Sequence, residues 1–154
     1  MSLLSVAMEK RYRSGTTIRA EFVRPAGEFS ATVLFGPSRC GKTTVLRSLA
    51  GLETPQRGRI QFGDEVWFDA ASREFVGPQQ RGVGYLSQDY ALFPHMNVAA
   101  NVGYGLHDVV REERRRRVGE VLELLQLRGL EERQPGQLSG GEQQRVAIAR
   151  AVAK

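Results

Sequence analysis

Cysteine is almost absent from this sequence, and its scarcity excludes several kinds of protein. Cys40 is the only cysteine among the 154 residues, so the chain cannot form an internal disulfide, and a reducing compartment fits this cysteine usage. The isolated His95 and His107 do not have the spacing of metal ligands. We therefore expect neither a disulfide-stabilised secreted domain nor a zinc domain.

Long apolar runs are lacking as well. No stretch approaches the roughly 18 consecutive apolar residues that a membrane-spanning helix needs. The N-terminus also lacks the charged, apolar and small-residue regions of a signal peptide. We expect the cytoplasm as the compartment, and any link to a membrane to come through a partner.

The remaining composition is that of an ordinary globular protein with a basic excess. Hydrophobic residues make up 41% and charged residues 25% of the chain, whose length suits one domain. The formal net charge of +5 favours anionic partners such as nucleotides, nucleic acid or a membrane surface, without choosing among them. A basic surface with no specific partner is the simpler interpretation.

The stretch Gly36–Thr43 fits the pattern G-x-x-x-x-G-K-[ST] of a phosphate-binding loop. Such a loop wraps a polyphosphate with backbone amides, and Gly36 and Gly41 permit the close approach and the positive φ that this requires. Lys42 is expected to reach the β- and γ-phosphates, and the Thr43 hydroxyl to bind Mg²⁺, a hard cation that takes oxygen ligands. A glycine-rich turn without a ligand is the alternative.

The sequence on both sides of this loop favours phosphate binding. Ala31–Phe35 is β-branched and apolar and predicts a buried strand, whereas Thr44–Ala50 predicts a helix that begins near Lys42 and stops at Gly51. A strand, a glycine loop and a helix follow one another, and this order places the N-terminus of the helix beside an anion that the loop binds.

Further elements are predicted along the chain from apolar alternation, helical spacing and turn residues. The predicted strands, with turns at Ser14–Gly15 and Gly63–Asp64, are Leu3–Lys10, Thr16–Arg24, Arg59–Phe62, Glu65–Phe68 and Val83–Ser87. The predicted helices are Asn97–Leu106, Arg111–Leu127 and a last one that Leu138–Arg145 opens and that runs through Arg150. Trp67 is expected to pack on its sheet.

Three features leave functional alternatives open. Tyr12, beside the first turn, could stack on a purine base or pack on the sheet. The charged run Arg111–Arg117, which allows Glu112–Arg116 and Glu113–Arg117 pairs, is either a solvated helix face or a nucleic-acid patch, and it lacks interleaved aromatic residues. Ser139, followed by two glycines before the last helix, predicts a second anion-binding helix terminus.

GPSRCGKT, YLSQD and LSGGEQQR, in this order, resemble the motifs of the nucleotide-binding subunit of ATP-binding cassette (ABC) transporters, and the resemblance covers nearly the whole chain. PQQRGVGYLSQDYALFPHMNVAANVGYGL and EVWFD are most similar to the importer branch that handles molybdate, sulfate or related oxyanions. The resemblance implies an α/β fold, a P-loop NTPase core of ABC-ATPase type with an antiparallel β subdomain and a helical insert. It divides the chain into a core with the β subdomain (1–88), a helical subdomain (89–138) and the signature motif with its helix (139–154).

The resemblance also implies roles for individual residues. Lys42 and the backbone of the loop would hold the phosphates of ATP, and the residues concerned are Gly36, Ser38, Arg39, Cys40, Gly41, Lys42, Thr43 and Thr44. Thr43 would bind Mg²⁺. Gln88 would touch Mg²⁺ or the attacking water and report the nucleotide state to a membrane subunit, and Tyr12 would stack on adenine. Ser139, Gly140 and Gly141 would bind the γ-phosphate of ATP held by a second copy, so the competent unit would be a homodimer.

The sequence departs from the family pattern in two places. Arg39 stands where the family usually has glycine, and it could change the loop conformation or place an extra cation near the phosphates. The chain also stops at Lys154, before the family's Walker B strand with its Asp and general-base Glu, so nucleotide binding could survive where turnover fails. We expect the natural reading frame to continue. We further expect the strands at 31–35 and 83–87 to expose unpaired edges, which would leave residues 1–154 poorly stable or prone to associate.

The leading interpretation is the energy-coupling ATPase of an importer, peripheral at the inner face of the membrane, that works with a separate permease. We do not expect nucleic acid as a partner. One alternative is a soluble ABC ATPase of DNA repair or chromosome structure. Those proteins carry a long coiled coil between YLSQD and LSGGEQQR, where this chain has a short helical insert. The other alternative is a non-hydrolytic nucleotide-binding module.

Overall fold

The computed structural model describes residues 2–27 and 29–153. They form two compact units, one reaching to Val83 and the other beginning at Gly84. The first unit is built on a sheet and the second on helices, and each has its own apolar core. No helix among these residues is both long and apolar enough to cross a membrane.

The first unit contains a five-stranded antiparallel sheet of order β2-β1-β3-β4-β5. Its strands are β1 (Leu3–Arg11), β2 (Thr17–Pro25), β3 (Arg57–Phe62), β4 (Glu65–Asp69) and β5 (Glu74–Phe75), and its helix is α1 (Lys42–Leu49). The turns predicted at Ser14–Gly15 and Gly63–Asp64 connect antiparallel hairpins, β1 with β2 and β3 with β4, and β1 lies between β2 and β3. Because side chains alternate across a strand, Val6 faces the core opposite Phe22 and Ile60.

Apolar side chains on one face of this sheet form the core of the first unit. The buried members are Val6, Met8, Ile60, Trp67 and Phe68. Trp67 is 5% exposed, and its ring stacks on Phe62 at 5.0 Å between centroids, so the prediction that it packs on the sheet is confirmed. Leu49 of α1 packs against the same cluster, which fixes one end of the helix that follows the glycine loop.

A buried arginine holds the C-terminal end of α1. Arg81 donates hydrogen bonds to the carbonyls of Ser48 (2.7 Å) and Leu49 (2.9 Å) and to the carbonyl of Trp67 in β4 (3.0 Å). Burial lowers the pKa of Arg81 below its usual value. Since carbonyls at a helix C-terminus lack partners within the helix, Arg81 both satisfies them and ties α1 to the sheet.

Two predicted strands, Ala31–Phe35 and Val83–Ser87, are wrong. The structure has irregular backbone at both segments, and Val33 and Phe35 are 82% and 99% exposed. The physical reason is that a strand requires a neighbour to complete its hydrogen-bond ladder, and the described residues place none beside either segment. Apolar, β-branched composition alone does not create a strand.

The second unit is helical. Its elements are α2 (Val98–Val102), α3 (Arg111–Leu124) and α4 (Gly140–Val152), with 3₁₀ turns at Gly103–Gly105 and Pro135–Gln137. One core joins all three helices; its buried residues are Val98, Val102, Leu106, Val118, Leu122, Leu127, Leu138, Val146, Ala149 and Ala153. The helix predicted at Asn97–Leu106 is shorter than expected, because α2 ends at Val102 and a 3₁₀ turn follows at Gly103–Gly105. The helix predicted at Arg111–Leu127 ends at Leu124, and Gln126, two residues later, has a left-handed backbone with φ 55°.

Part of the charged face of α3 is paired within the helix. Glu113 pairs with Arg116 and Arg117, and Arg116 also pairs with Glu120. Hydrogen bonds from Arg116 and Arg117 lower the pKa of Glu113 to about 2. The predicted Glu113–Arg117 pair is confirmed, whereas Arg116 turns to Glu113 and Glu120 rather than to Glu112. This arrangement is that of a solvated helix face.

Candidate phosphate-binding site

The glycine loop leads directly into α1, as the sequence predicts. Gly41 caps the helix with φ 100°, a left-handed conformation that favours glycine. A Cβ at Gly41 would lie 2.6 Å from Cγ2 of Ile18 in β2, closer than van der Waals contact allows. Glycine at this position therefore lets the loop pack against β2 and sets where α1 begins.

The N-terminus of α1 is open to a ligand. No side chain caps it, and the first-turn amides of Lys42, Thr43 and Thr44 have no hydrogen-bond acceptor among the residues that the structure describes. Unpaired amides and the positive end of the helix dipole attract an anion at such a terminus. The Thr43 side chain on this turn is exposed, so its hydroxyl is available as an oxygen ligand for a hard cation.

Lys42 lies inside the curve of the loop. Its ammonium donates to the carbonyls of Gly36 and Pro37, each at 2.7 Å, and lies 3.6 Å from Sγ of Cys40. These bonds close the loop around the lysine. The ammonium is thus held by the loop's own carbonyls, and its contact with a phosphate stays a prediction.

Tyr12 stands against the same helix terminus. Its hydroxyl is 3.0 Å from Oγ1 of Thr44, 32 residues away in sequence, and its side chain is 37% exposed. A cleft of about 250 Å³ lies between them, lined by Tyr12, Ser14, Thr16, Ile18, Arg39, Gly41, Lys42, Thr43 and Thr44. The structure therefore brings Tyr12 together with Arg39, Gly41, Lys42, Thr43 and Thr44, whereas Gly36, Ser38 and Cys40 do not line this cleft. Adenine stacking on Tyr12 stays a prediction.

The Ser139 motif forms a second helix terminus, in the second unit. Ser139 is the N-cap of α4, and its hydroxyl accepts the Glu142 amide at 3.4 Å. The Glu142 carboxylate in turn accepts from the hydroxyl and the amide of Ser139, both at 2.7 Å, and these bonds lower its pKa. Gly140 and Gly141 occupy the first turn and are exposed. The role of Glu142 was not predicted, although Ser139 and Glu142 fit the S-x-x-E pattern of a capping box.

Gln88 lies in an exposed turn of the second unit, before a strained piece of backbone. Tyr90 and Ala91 have φ 59° and 45°, unusual for residues other than glycine. Arg150 of α4 donates to the carbonyl of Tyr90 at 2.9 Å and to that of Ala91 at 2.7 Å, and its guanidinium lies 5.3 Å from the Phe93 ring. No sequence pattern predicts this contact, since its acceptors are backbone carbonyls 59 and 60 residues away.

Known proteins resemble this chain closely in sequence. The sulfate/thiosulfate import ATP-binding protein CysA of Mesorhizobium japonicum is 54% identical over 83% of this chain and 36% of its own length. The molybdenum import ATP-binding protein ModC of Pseudomonas savastanoi is 45% identical over 88% of the chain and 37% of its own length. The Fe(3+) ions import ATP-binding protein FbpC of Pseudomonas fluorescens is 50% identical over 84% of the chain and 36% of its own length. The chain thus spans little more than a third of these relatives.

A solved structure and a family description agree with these relatives. One solved structure is the dimeric post-hydrolysis state of the ATP-binding cassette MJ0796 bound to ADP and Pi. The match covers 99% of this chain and 69% of the MJ0796 chain, with 31% sequence identity and a TM-score of 0.77. Residues 25–154 match the family described as "ABC transporter". The fold is that of an ABC ATPase cassette, and the chain belongs to the ABC transporter family.

Proposed function

We propose that this chain is the ATP-binding part of the energy-coupling subunit of an ABC importer. The observation that carries the proposal is the single cleft in which Tyr12, Lys42 and the open N-terminus of α1 meet. Its amides, ammonium and aromatic ring suit the phosphates and the base of a nucleoside triphosphate. The cassette MJ0796, whose fold this chain shares, is bound to ADP and Pi in its solved structure.

In this proposal the loop residues hold the phosphates through their backbone, and Lys42 adds a charge at the β/γ position. The loop residues are Gly36, Ser38, Arg39, Cys40, Gly41, Thr43 and Thr44. The exposed hydroxyl of Thr43 fits Mg²⁺, which needs few protein ligands because phosphate oxygens and waters complete its shell. Gln88, exposed in its turn, is proposed to meet the metal or the attacking water.

A second copy is proposed to complete each site. The α4 terminus at Ser139, Gly140 and Gly141 is exposed, and although Ser139 and Glu142 close a capping box there, the Gly140 and Gly141 amides can meet the γ-phosphate of ATP held by another copy. The dimeric MJ0796 structure supports this assembly. ATP binding would then close the dimer and hydrolysis would reopen it, driving a separate permease at the cytoplasmic face of the membrane.

The cargo is proposed to be a small inorganic ion, with sulfate, molybdate or a related oxyanion as the finer proposal. The names of the sulfate/thiosulfate and molybdenum relatives support an oxyanion, whereas the iron relative supports only an ion. The site described here binds nucleotide in this proposal, so the permease and its receptor would select the solute. Uptake of labelled sulfate and molybdate by cells with and without the gene tests this part.

Lys42→Ala tests the nucleotide site directly. Removing the ammonium leaves the triphosphate with amides alone, so we expect affinity for a fluorescent ATP analogue to fall by at least about tenfold. Arg24→Ala removes one positive charge from exposed β2 and should leave the affinity unchanged. Wild-type affinity in a folded Lys42→Ala variant would overturn the site assignment.

A further inference from the structure

Arg39 has a backbone conformation that costs stability. Its φ of 66° lies in the left-handed region, where a Cβ clashes with the backbone and which glycine adopts without this cost. A strained residue persists when the surrounding structure holds it there, and such residues cluster at ligand sites. The strain at Arg39 falls within the loop that faces the phosphate-binding cleft.

The side chain of Arg39 is placed to use that cleft. It lines the cleft together with Tyr12, Lys42 and Thr43, and it is exposed. Within residues 2–27 and 29–153 it has no ion-pair or hydrogen-bond partner for its guanidinium. Lys42, by contrast, has its ammonium bonded to two loop carbonyls. Among the described residues, the guanidinium of Arg39 is therefore the cleft cation whose hydrogen-bond donors have no protein acceptor.

We propose that the guanidinium of Arg39 is a phosphate-binding group of this site, acting beside Lys42 and the loop amides. A guanidinium presents a planar fork of donors that pairs with two phosphate oxygens at once, which an ammonium cannot do. The ligand class is a nucleoside polyphosphate, so this inference rests on the proposed function. Arg39 therefore carries a backbone strain that costs stability, and its guanidinium provides an additional positive charge that contacts the ligand.

Two measurable properties follow if Arg39 binds phosphate from a strained backbone position. Affinity should increase from AMP to ADP to ATP and fall with ionic strength more steeply than in a site without Arg39, because an exposed charge pair is screened by salt. Replacing Arg39 by glycine should change stability and affinity in opposite directions, since it removes the strain and the charge together. A residue that only shapes the loop would not give this pair of effects.

The test compares Arg39→Gly with Arg73→Gly. Arg73 is also an exposed arginine of the first unit with a positive φ, 59°, but it lies in the turn between β4 and β5. Both variants lose one charge and one strained residue, so both should melt at a higher temperature than the wild type. We expect Arg39→Gly to bind a fluorescent ATP analogue about tenfold more weakly, with a shallower salt dependence, and Arg73→Gly to bind like the wild type.

Arg39→Lys and unlabelled competitors complete the experiment. The lysine variant keeps the charge without the fork, so its affinity should lie between those of the wild type and Arg39→Gly. Wild-type affinity and salt dependence in Arg39→Gly, with binding still lost in Lys42→Ala, would overturn the role of Arg39 and leave the proposed function standing. Equal weakening in Arg39→Gly and Arg73→Gly would also overturn it. Failure of the wild type to bind ATP would instead remove the proposed function and this inference with it.

Discussion

Gly41 is the residue at which the loop, β2 and α1 meet. Gly41→Ala would place a methyl group at φ 100° and 2.6 Å from the Ile18 side chain, so either the loop or that side chain must move. We expect the free energy of unfolding to fall by about 2 kcal/mol or more, from left-handed strain and overpacking combined. Chemical denaturation of the chain measures this change.

Gly119→Ala is the matched control for this substitution. Gly119 lies in the interior of α3 with nothing within 4 Å of its added Cβ, so alanine should raise the free energy of unfolding by about 0.5–1 kcal/mol. Equal effects of the two substitutions would mean that the loop does not require glycine at position 41.

Among the elements, α4 contains a carboxylate whose titration reports on its N-terminus. The hydroxyl and amide of Ser139 hold the pKa of Glu142 below its usual 4.5. A lowered pKa stabilises the folded state above the unfolded-state value, and this contribution is lost as the pH falls through the folded-state value. We expect Ser139→Ala to move the pKa of Glu142 up toward 4.5, as followed by carboxyl NMR.

Glu131 provides an internal control in the same titration. Backbone hydrogen bonds from Glu131 and Gly129 lower its pKa, and Ser139 takes no part in them. Its pKa should therefore be the same in both proteins. If the pKa of Glu142 were also unchanged by Ser139→Ala, the capping box would not be what stabilises its carboxylate.

The segment after Gln88 depends on α4 through Arg150. Arg150→Met would leave the carbonyls of Tyr90 and Ala91 without their charged donor in a conformation that is already strained. We expect the Phe93 amide, which donates to Oδ1 of Asn101 at 2.9 Å, to exchange its hydrogen about tenfold faster. Hydrogen-exchange NMR measures this rate.

Arg128→Met serves as the control, since Arg128 pairs with Glu123 on an exposed surface of the same unit. Exposed pairs of this kind contribute little to stability. The Phe93 amide should exchange at the wild-type rate in this variant. Protection of that amide in Arg150→Met would show that Asn101 alone holds the segment.

These elements show what the sequence could predict and what it could not. The two hairpins, α1, α3 and α4 follow from local alternation, helical spacing and capping residues, and the loop before α1 follows from its motif. The segments 31–35 and 83–87 were wrongly predicted because pairing depends on neighbours that local composition does not specify. The contacts of Arg81 and Arg150 could not be predicted from the sequence, because their acceptors are backbone carbonyls, which every residue has.

At the scale of the whole molecule, the irregular segment before the loop exposes apolar side chains. Val33 and Phe35 are 82% and 99% exposed, and contiguous exposed apolar groups favour association. We expect the double variant Val33→Ser, Phe35→Ser to self-associate less than the wild type in analytical ultracentrifugation. Its melting temperature should stay the same, because neither side chain packs in a core.

Leu3→Ser and Val23→Ser are the corresponding control, because these side chains are exposed on strands that already have partners. We expect association close to that of the wild type. A double variant at 33 and 35 that associates as strongly as the wild type would place the association surface elsewhere.

The loop and the N-terminus of α1 are proposed to bind the phosphates of ATP. Titration of the chain with Mg-ATP, followed by backbone amide NMR, tests it most directly. We expect the largest shifts at residues 38–44 and smaller ones at Tyr12, and we expect that adenosine, which lacks phosphates, does not reproduce the shifts in the loop. Loop amides that stay unchanged at saturating ATP, or equal shifts with adenosine, would contradict it.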